Sequence, residues 1–381
     1  MTEDPPNPAL LPSGLNDLLP PEAAQEATLV EAMLAVFAGH GYERVKPPLL
    51  EFEDSLLAGS GAAMAEQTFR LMDPASHRMM GLRADITPQV ARIAATRLGD
   101  VPRPLRLSYS GQALRVSGSQ LAPERQIPQA GIELIGADSA EADAEVALLG
   151  VEALAAIGIA APSLDITLPT MAPALLDAAG VEGEARRRLA RALDRKDAAA
   201  VTELAAIAGP PANGLTALLT AAGPADRALQ ALADAELPPA ARAIADNAAA
   251  IVTAIRARAP GLRITLDPVE FRGLRYHVGV AFTLYGPGRT GELARGGRYR
   301  SGEEPATGLT LYPDAVRRAA PAAPPPPRVF LPLGADPVAA ARLRTQGFIT
   351  VAALSAADTP QRLRCGHILR GGSAAPIEEN A

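Results

Sequence analysis

Apolar positions change period several times along this chain, and each change marks a segment. Over 22–39 the stripe Leu29, Met33, Val36 and Phe37 recurs at helical spacing, behind Pro20 and Pro21 and ahead of Gly39, which suits a helix terminus. GYERVKPPLLEF then reads as strand-like, and Pro47 and Pro48, lacking N–H donors, keep it from a central sheet position. Between Gln67 and Gly136 the runs FRLMD, HRMMGLR, RLSYSGQALRV and QAGIELIG alternate with turns and predict strands of an antiparallel sheet. A helix over 88–98 is expected beside it, and another over 139–157 carries alanine, leucine and acidic residues at helical spacing before Gly158.

Alanine dominates from 169 to 259, with breaks at Gly209-Pro210-Pro211 and Pro238-Pro239, which predicts several short helices packed through small aliphatic contacts. Strand texture returns after Pro260 in LRITLDPV, YHVGVAFTLYG and GGRY. PAAPPPP, 321–327, reads as a stiff linker. Beyond it RVFLPLG, DPVAAARLRTQG and FITVAAL read strand, helix, strand. The expected organisation is an α+β core in two parts, 1–168 and 260–320, a helical insertion at 169–259, the linker, and a small C-terminal α/β module at 328–381.

Composition narrows the classes. With 381 residues, 48% hydrophobic and 20% charged, the chain is long enough for more than one domain and matches an ordinary globular protein. A net charge of −6 gives no general footprint for nucleic acid. The single cysteine, Cys365, excludes an internal disulfide framework and fits a reducing cytoplasm. No secretory signal opens the chain and no apolar run reaches membrane-spanning length, so neither membrane nor export is expected. The four histidines, His40, His77, His277 and His367, lack the paired spacing of a zinc site, and no metal is expected.

Candidate chemistry gathers in a few segments. In LRADITPQVAR, Arg83 and Asp85 end a short strand, and Thr87 and Pro88 read as N-cap and first position of the next helix. A carboxylate at Asp85 could pair a buried ammonium, or could simply be a charge at a strand end. In QAGIELIG, Gln129 and Glu133 lie at even spacing from Gly131 and share one strand face, as a ligand-facing pair or as the polar side of a half-buried strand. RGLRYH supplies Arg272, whose guanidinium can fork two hydrogen bonds to a carboxylate, together with Tyr276 and His277. GGRY, 296–299, reads as a glycine turn close to the same place.

Taken in this order, LRADITPQVAR, QAGIELIG, RGLRYH, GGRY and ATGL (306–309) resemble the catalytic core of class II histidyl-tRNA synthetases. Within that group the chain is most similar to the synthetase-like regulatory subunits of ATP phosphoribosyltransferase. The resemblance runs from about Leu11 to Val316 and is weakest across the insertion. It implies a class II synthetase-like α+β core with an antiparallel sheet flanked by helices, a dimer formed through the first helix and strand, and a histidine-like pocket of Asp85, Thr87, Arg115, Gln129, Glu133, Arg272, Tyr276 and His277. Arg115 matches the family's phosphate-clamping arginine. Around it the pattern departs: Ser117 and Ile127 stand in the loop where a glutamate and an adenine-stacking aromatic are expected, Arg275 and His277 replace acidic and aromatic residues, and Pro313, Asp314 and Ala315 occupy the place of the third-motif arginine.

Losing that arginine removes charge stabilisation that phosphoryl-transfer chemistry depends on. The resemblance therefore implies no catalysis by this chain alone and no cofactor. The expected role is a regulatory subunit that joins the short-form catalytic subunit in a hetero-oligomer and responds to histidine in the first step of histidine biosynthesis. A histidyl-tRNA synthetase, or a paralogue with another role, is the alternative.

Overall fold

Strict two-residue alternation along long strands gives the larger part of the molecule its sheet. The structure, a computed structural model, describes residues 10–118, 123–208, 210–270, 277–288, 291–322 and 324–377. Two units result, Met1–Ala320 and Pro321–Ala381. The first is built on a nine-stranded sheet in the order Glu43–Arg44, Leu105–Leu114, Gln126–Ile135, Glu304–Leu311, Glu292–Ser301, Ala281–Tyr285, Ser163–Thr167, Arg263–Asp267 and Gly223–Pro224. Neighbours run antiparallel, except that 43–44 lies parallel to 105–114 and 163–167 parallel to 263–267.

Register sorts the side chains onto two unlike faces. One row reads Ile132, Leu309, Gly296, Phe282, Ile166 and Leu266 across successive strands. The next row on the opposite face reads Glu133, Gly308, Gly297, Ala281, Thr167 and Asp267. The row after that reads Tyr109, Gly131, Thr310, Arg295, Thr283, Asp165 and Thr265. Because successive side chains point to opposite sides of a strand, the first face is apolar and the second polar.

The helices Glu22–Gly39, Ala140–Ala156 and Pro239–Arg258 contribute Met33, Phe37, Leu149, Leu154, Ile251 and Ile255 to the cluster that holds the apolar face. Gly150 lies mid-helix, where glycine costs about 0.5–1 kcal/mol against alanine. A Cβ there would run into Leu309 and Leu284 of the sheet, so the glycine permits close approach. The polar face is covered at one end by the helix Thr87–Thr96, where Ile86, Val90 and Ala94 pack with Leu105, Leu107, Tyr109 and Tyr299.

Several expectations change. FRLMD and HRMMGLR do not join the large sheet; with Leu50–Phe52 they make a separate three-stranded sheet, Arg70–Met72 and Met79–Leu82 pairing antiparallel. Gly296 and Gly297 of GGRY form no turn. They lie inside the strand Glu292–Ser301, where a Cβ on Gly297 would meet the Val280 carbonyl at 2.6 Å and one on Gly296 would strike the Gly308 carbonyl. Close packing, not chain reversal, selects these glycines.

The alanine-rich stretch forms Met171–Ala178, Gly183–Asp194, Ala198–Ala208, Pro210–Ala221, Ala225–Asp234 and Pro239–Arg258. Their Leu189, Val201, Leu215, Leu218 and Leu232 belong to the same cluster as the sheet's apolar face, with no aromatic side chain among them. In the second unit, Asp336 caps the helix Pro337–Thr345, accepting from Val338 N at 2.9 Å and Ala339 N at 3.3 Å. Its four-stranded sheet runs Ile349–Ala352, Arg328–Leu331, His367–Arg370, Ser373–Pro376. The sequence reading missed the last two strands, which are short and separated only by Gly371-Gly372.

Candidate functional site

The site begins where a short strand hands over to a helix. The helix is Thr87–Thr96 with Ile86 at its N-cap, so Thr87 is its first residue rather than the cap expected from sequence. Its hydroxyl is taken by Glu133 Oε1 at 2.9 Å, and Asp85 Oδ1 accepts the Thr87 N–H at 2.9 Å instead. Gln129 locks this corner: its Oε1 accepts from Ile86 N at 3.0 Å and its Nε2 donates to Asp85 Oδ2 at 3.2 Å. Two segments far apart in sequence are thereby fixed by their polar side chains.

Glu133 lies at the centre and is 1% exposed. Besides Thr87, Tyr109 donates to Oε1 at 3.3 Å and Tyr299 to Oε2 at 2.9 Å, while the Tyr109 and Thr310 hydroxyls lie 2.8 Å apart. Burial pushes the Glu133 carboxyl up to about 8, against the hydrogen bonds from Thr87 and Tyr299, which hold it down. Burial also raises Tyr109 well above its ordinary range, with Glu133 adding to the effect. Gly308 stands opposite Glu133, and any Cβ there would collide with its carboxylate. The glycine of ATGL thus makes room for an acid.

Above Glu133 the described residues leave a void of about 20 Å³, bounded by Thr87, His277, Arg295, Gly297, Tyr299 and Thr310. That is room for about one water, so an amino-acid-sized ligand enters only if the surrounding side chains move. His277 is buried in this wall, and burial, then the charge of Arg295, takes its imidazole down to about 3.

Two arginines of the quoted motifs turn out to hold the scaffold. Arg83 is buried and donates to Gln112 O at 2.7 Å, Pro47 O at 3.1 Å and Gln89 Oε1 at 3.3 Å. The diproline thus supplies carbonyls that fix the strand end carrying Asp85. Arg298 points away from the pocket, through the apolar face, where its Nε donates to both oxygens of the buried Asp143 at 3.1 and 3.0 Å. Its Nη1 and Nη2 donate to Ala137 O at 2.9 Å and Ser139 O at 3.0 Å, at the start of the helix Ala140–Ala156. Chain neighbours in GGRY therefore serve opposite sides, Tyr299 the pocket and Arg298 the helix layer.

Of the residues singled out by sequence, Asp85, Thr87, Gln129 and Glu133 meet directly, and His277 walls the void. Arg115 shares their sheet face at the loop end of the hairpin, with Nε 3.4 Å from Ala84 O. Arg272 and Tyr276 lie outside the described residues. Tyr109, Tyr299, Thr310 and Arg295 were not picked out. Their signal was phase: each shares a face with Glu133 only through strand register, which one strand's sequence does not reveal. Among the described residues no group of three or more acidic, histidine or cysteine side chains could hold a metal.

With the geometry in place, the chain can be set beside known proteins. The family model for histidyl-tRNA synthetase matches residues 14–316. A protein of Rhodospirillum centenum, named ATP phosphoribosyltransferase regulatory subunit, is 52% identical over 100% of both chains. One of the same name from Paramagnetospirillum magneticum is 55% identical over 93% of each. Among solved structures, that of an ATP phosphoribosyltransferase regulatory subunit/histidyl-tRNA synthetase from Bacillus halodurans superposes with a TM-score of 0.80 at 23% identity, covering 95% of this chain and 97% of that one. Histidyl-tRNA synthetase from Nostoc superposes at 0.75 with 18% identity, covering 93% and 88%. At these identities the two structures speak for the fold, a class II synthetase-like α+β core.

Proposed function

Since the chain belongs to the histidyl-tRNA synthetase-like family of ATP phosphoribosyltransferase regulatory subunits, we propose that it regulates a transferase complex without catalysing a reaction itself. Its partner in this reading is the short-form catalytic subunit, in the cytoplasm, and the chain self-associates within the hetero-oligomer. Exposed Met72 and Met79, paired across the three-stranded sheet, offer apolar surface for self-association. Histidine is the proposed effector, acting as feedback inhibitor of the first step of histidine biosynthesis.

The observation that carries this reading is the closed network around Glu133. Asp85 is bonded to Thr87 N and Gln129, and Thr87, Tyr109 and Tyr299 each donate to Glu133. Opening such a network costs free energy that a ligand must return, so a ligand that fits one conformation shifts the population toward it. We take Asp85, Thr87, Arg115, Gln129, Glu133, Arg272, Tyr276 and His277 as the pocket. Pro313, Asp314 and Ala315, where a third-motif arginine would stand, speak against adenylate formation.

The test is transferase activity of the short catalytic subunit, with and without this chain, as histidine is titrated. Activation by the chain and inhibition by histidine are expected. No effect on the transferase, together with histidine-dependent ATP–pyrophosphate exchange by this chain alone, would replace this reading with a synthetase.

A further inference from the structure

The polar sheet face continues past the pocket to a charge pair that the network above does not use. Alternation alone would put Glu292 and Arg295, three residues apart, on opposite faces. The register shifts here: Leu284 pairs with Ala294 but Tyr285 with Glu292, an extra residue in the strand Glu292–Ser301. This bulge turns Glu292 onto the face of Arg295, as bulges beside sites re-aim side chains. Arg295 Nη2 donates to Glu292 Oε2 at 2.8 Å. The positive charge of Arg115, on the neighbouring hairpin, also favours the Glu292 carboxylate. Burial raises the Glu292 carboxyl, and Arg295, Tyr312 and Arg115 all oppose that shift. The Arg295 guanidinium held on the half-buried Glu292 carboxylate makes an oxyanion site whose occupant is the chain itself.

We propose that Arg295 is a seat for a ligand's oxyanion, carboxylate or phosphate, and that Glu292, aimed there by the bulge, is its resting occupant, which the ligand displaces. Arg295 also bounds the void over Glu133. Along Glu304–Leu311, Gly308 beside Glu133 and Thr310 beside Arg295 are two residues apart, about 7 Å, a span one amino acid can bridge. The amino-acid form of this proposal rests on the pocket reading given above; the phosphate form does not.

The experiment is calorimetric titration of the full chain, as wild type, Glu292→Ala, Glu292→Gln and Glu292→Ala/Arg295→Ala, with inorganic phosphate, histidine, and histidinol, which lacks the carboxylate. Glu292→Ala should tighten phosphate and histidine by about fivefold, the size expected for removing one partly exposed ion pair that competes for the same cation. Histidinol should not gain, and the double variant should lose the gain. If phosphate gains and histidine does not bind at all, the seat stands and the amino-acid pocket falls. If both Glu292 variants fold with wild-type melting yet bind neither phosphate nor histidine more tightly, the seat is wrong, even where wild-type histidine binding upholds the pocket.

Discussion

The two faces of the nine-stranded sheet are made by the same strands and have opposite character. Within Gln126–Ile135, Ala130, Ile132 and Leu134 enter the helix-covered cluster while Gln129 and Glu133 enter the polar network. The apolar face holds by burial and tolerates the charged pair of Arg298 with Asp143, because that guanidinium finds acceptors on Asp143, Asp138, Ala137 and Ser139. The polar face keeps a lone carboxyl dry among hydroxyls, with no cation within hydrogen-bonding reach among its described partners. Stability and responsiveness are thus separated by a strand's thickness, and each face should fail in its own way.

The largest effect should come from unpairing the charge on the apolar side. Arg298→Met leaves Asp143 buried without its partner and should lower unfolding free energy by about 3–5 kcal/mol in urea titration, whereas adding Asp143→Leu should recover most of it. A single variant within about 1 kcal/mol of wild type would show that solvent reaches Asp143. Next, Ile132→Ala should cost about 3 kcal/mol through a cavity, with the pH dependence assigned below left unchanged. If that dependence shifts too, the faces are coupled.

The polar face should answer to pH. Burial pushes the Glu133 carboxyl up to about 8 in the fold from its ordinary 4.5, so the folded state keeps a proton that the unfolded chain has released. Stability contributed by this proton is complete below about pH 4.5 and is withdrawn as pH rises toward about 8. Comparing wild type with Glu133→Gln from pH 5 to 9 should show that slope in the wild type alone. Tyr299→Phe, removing one donor, should cost about 1 kcal/mol and move the upper end of the window higher. The smallest effect belongs to the Arg103–Glu304 pair at the sheet's end, 2.5 Å between Nε and Oε1: Glu304→Ala should cost less than about 1 kcal/mol and should fade with added salt.

Sequence reading reached the faces unequally. Periodicity found the helices Glu22–Gly39 and Ala140–Ala156 and the two strands of the hairpin, because one side of each is buried and alternation or helical spacing records that. It placed Gln129 and Glu133 on one face for the same reason. It could not assign FRLMD and HRMMGLR to a second sheet, since strand partners are settled by tertiary packing rather than by local pattern. Tyr109 and Thr310 escaped because their nearness to Glu133 depends on registers between separate strands. Arg295 and Glu292 escaped because a bulge overturns the very alternation the reading relied on.

Arg298 and Tyr299 are adjacent, yet one braces the helix layer and the other steadies the pocket acid. A short run of letters on a strand therefore answers to two selections at once, one for architecture and one for chemistry. When the chemistry lapses, the architectural half still resists change and carries its neighbours along in any likeness scored by motif. Only the direction each side chain faces tells which half of the inheritance is still in use.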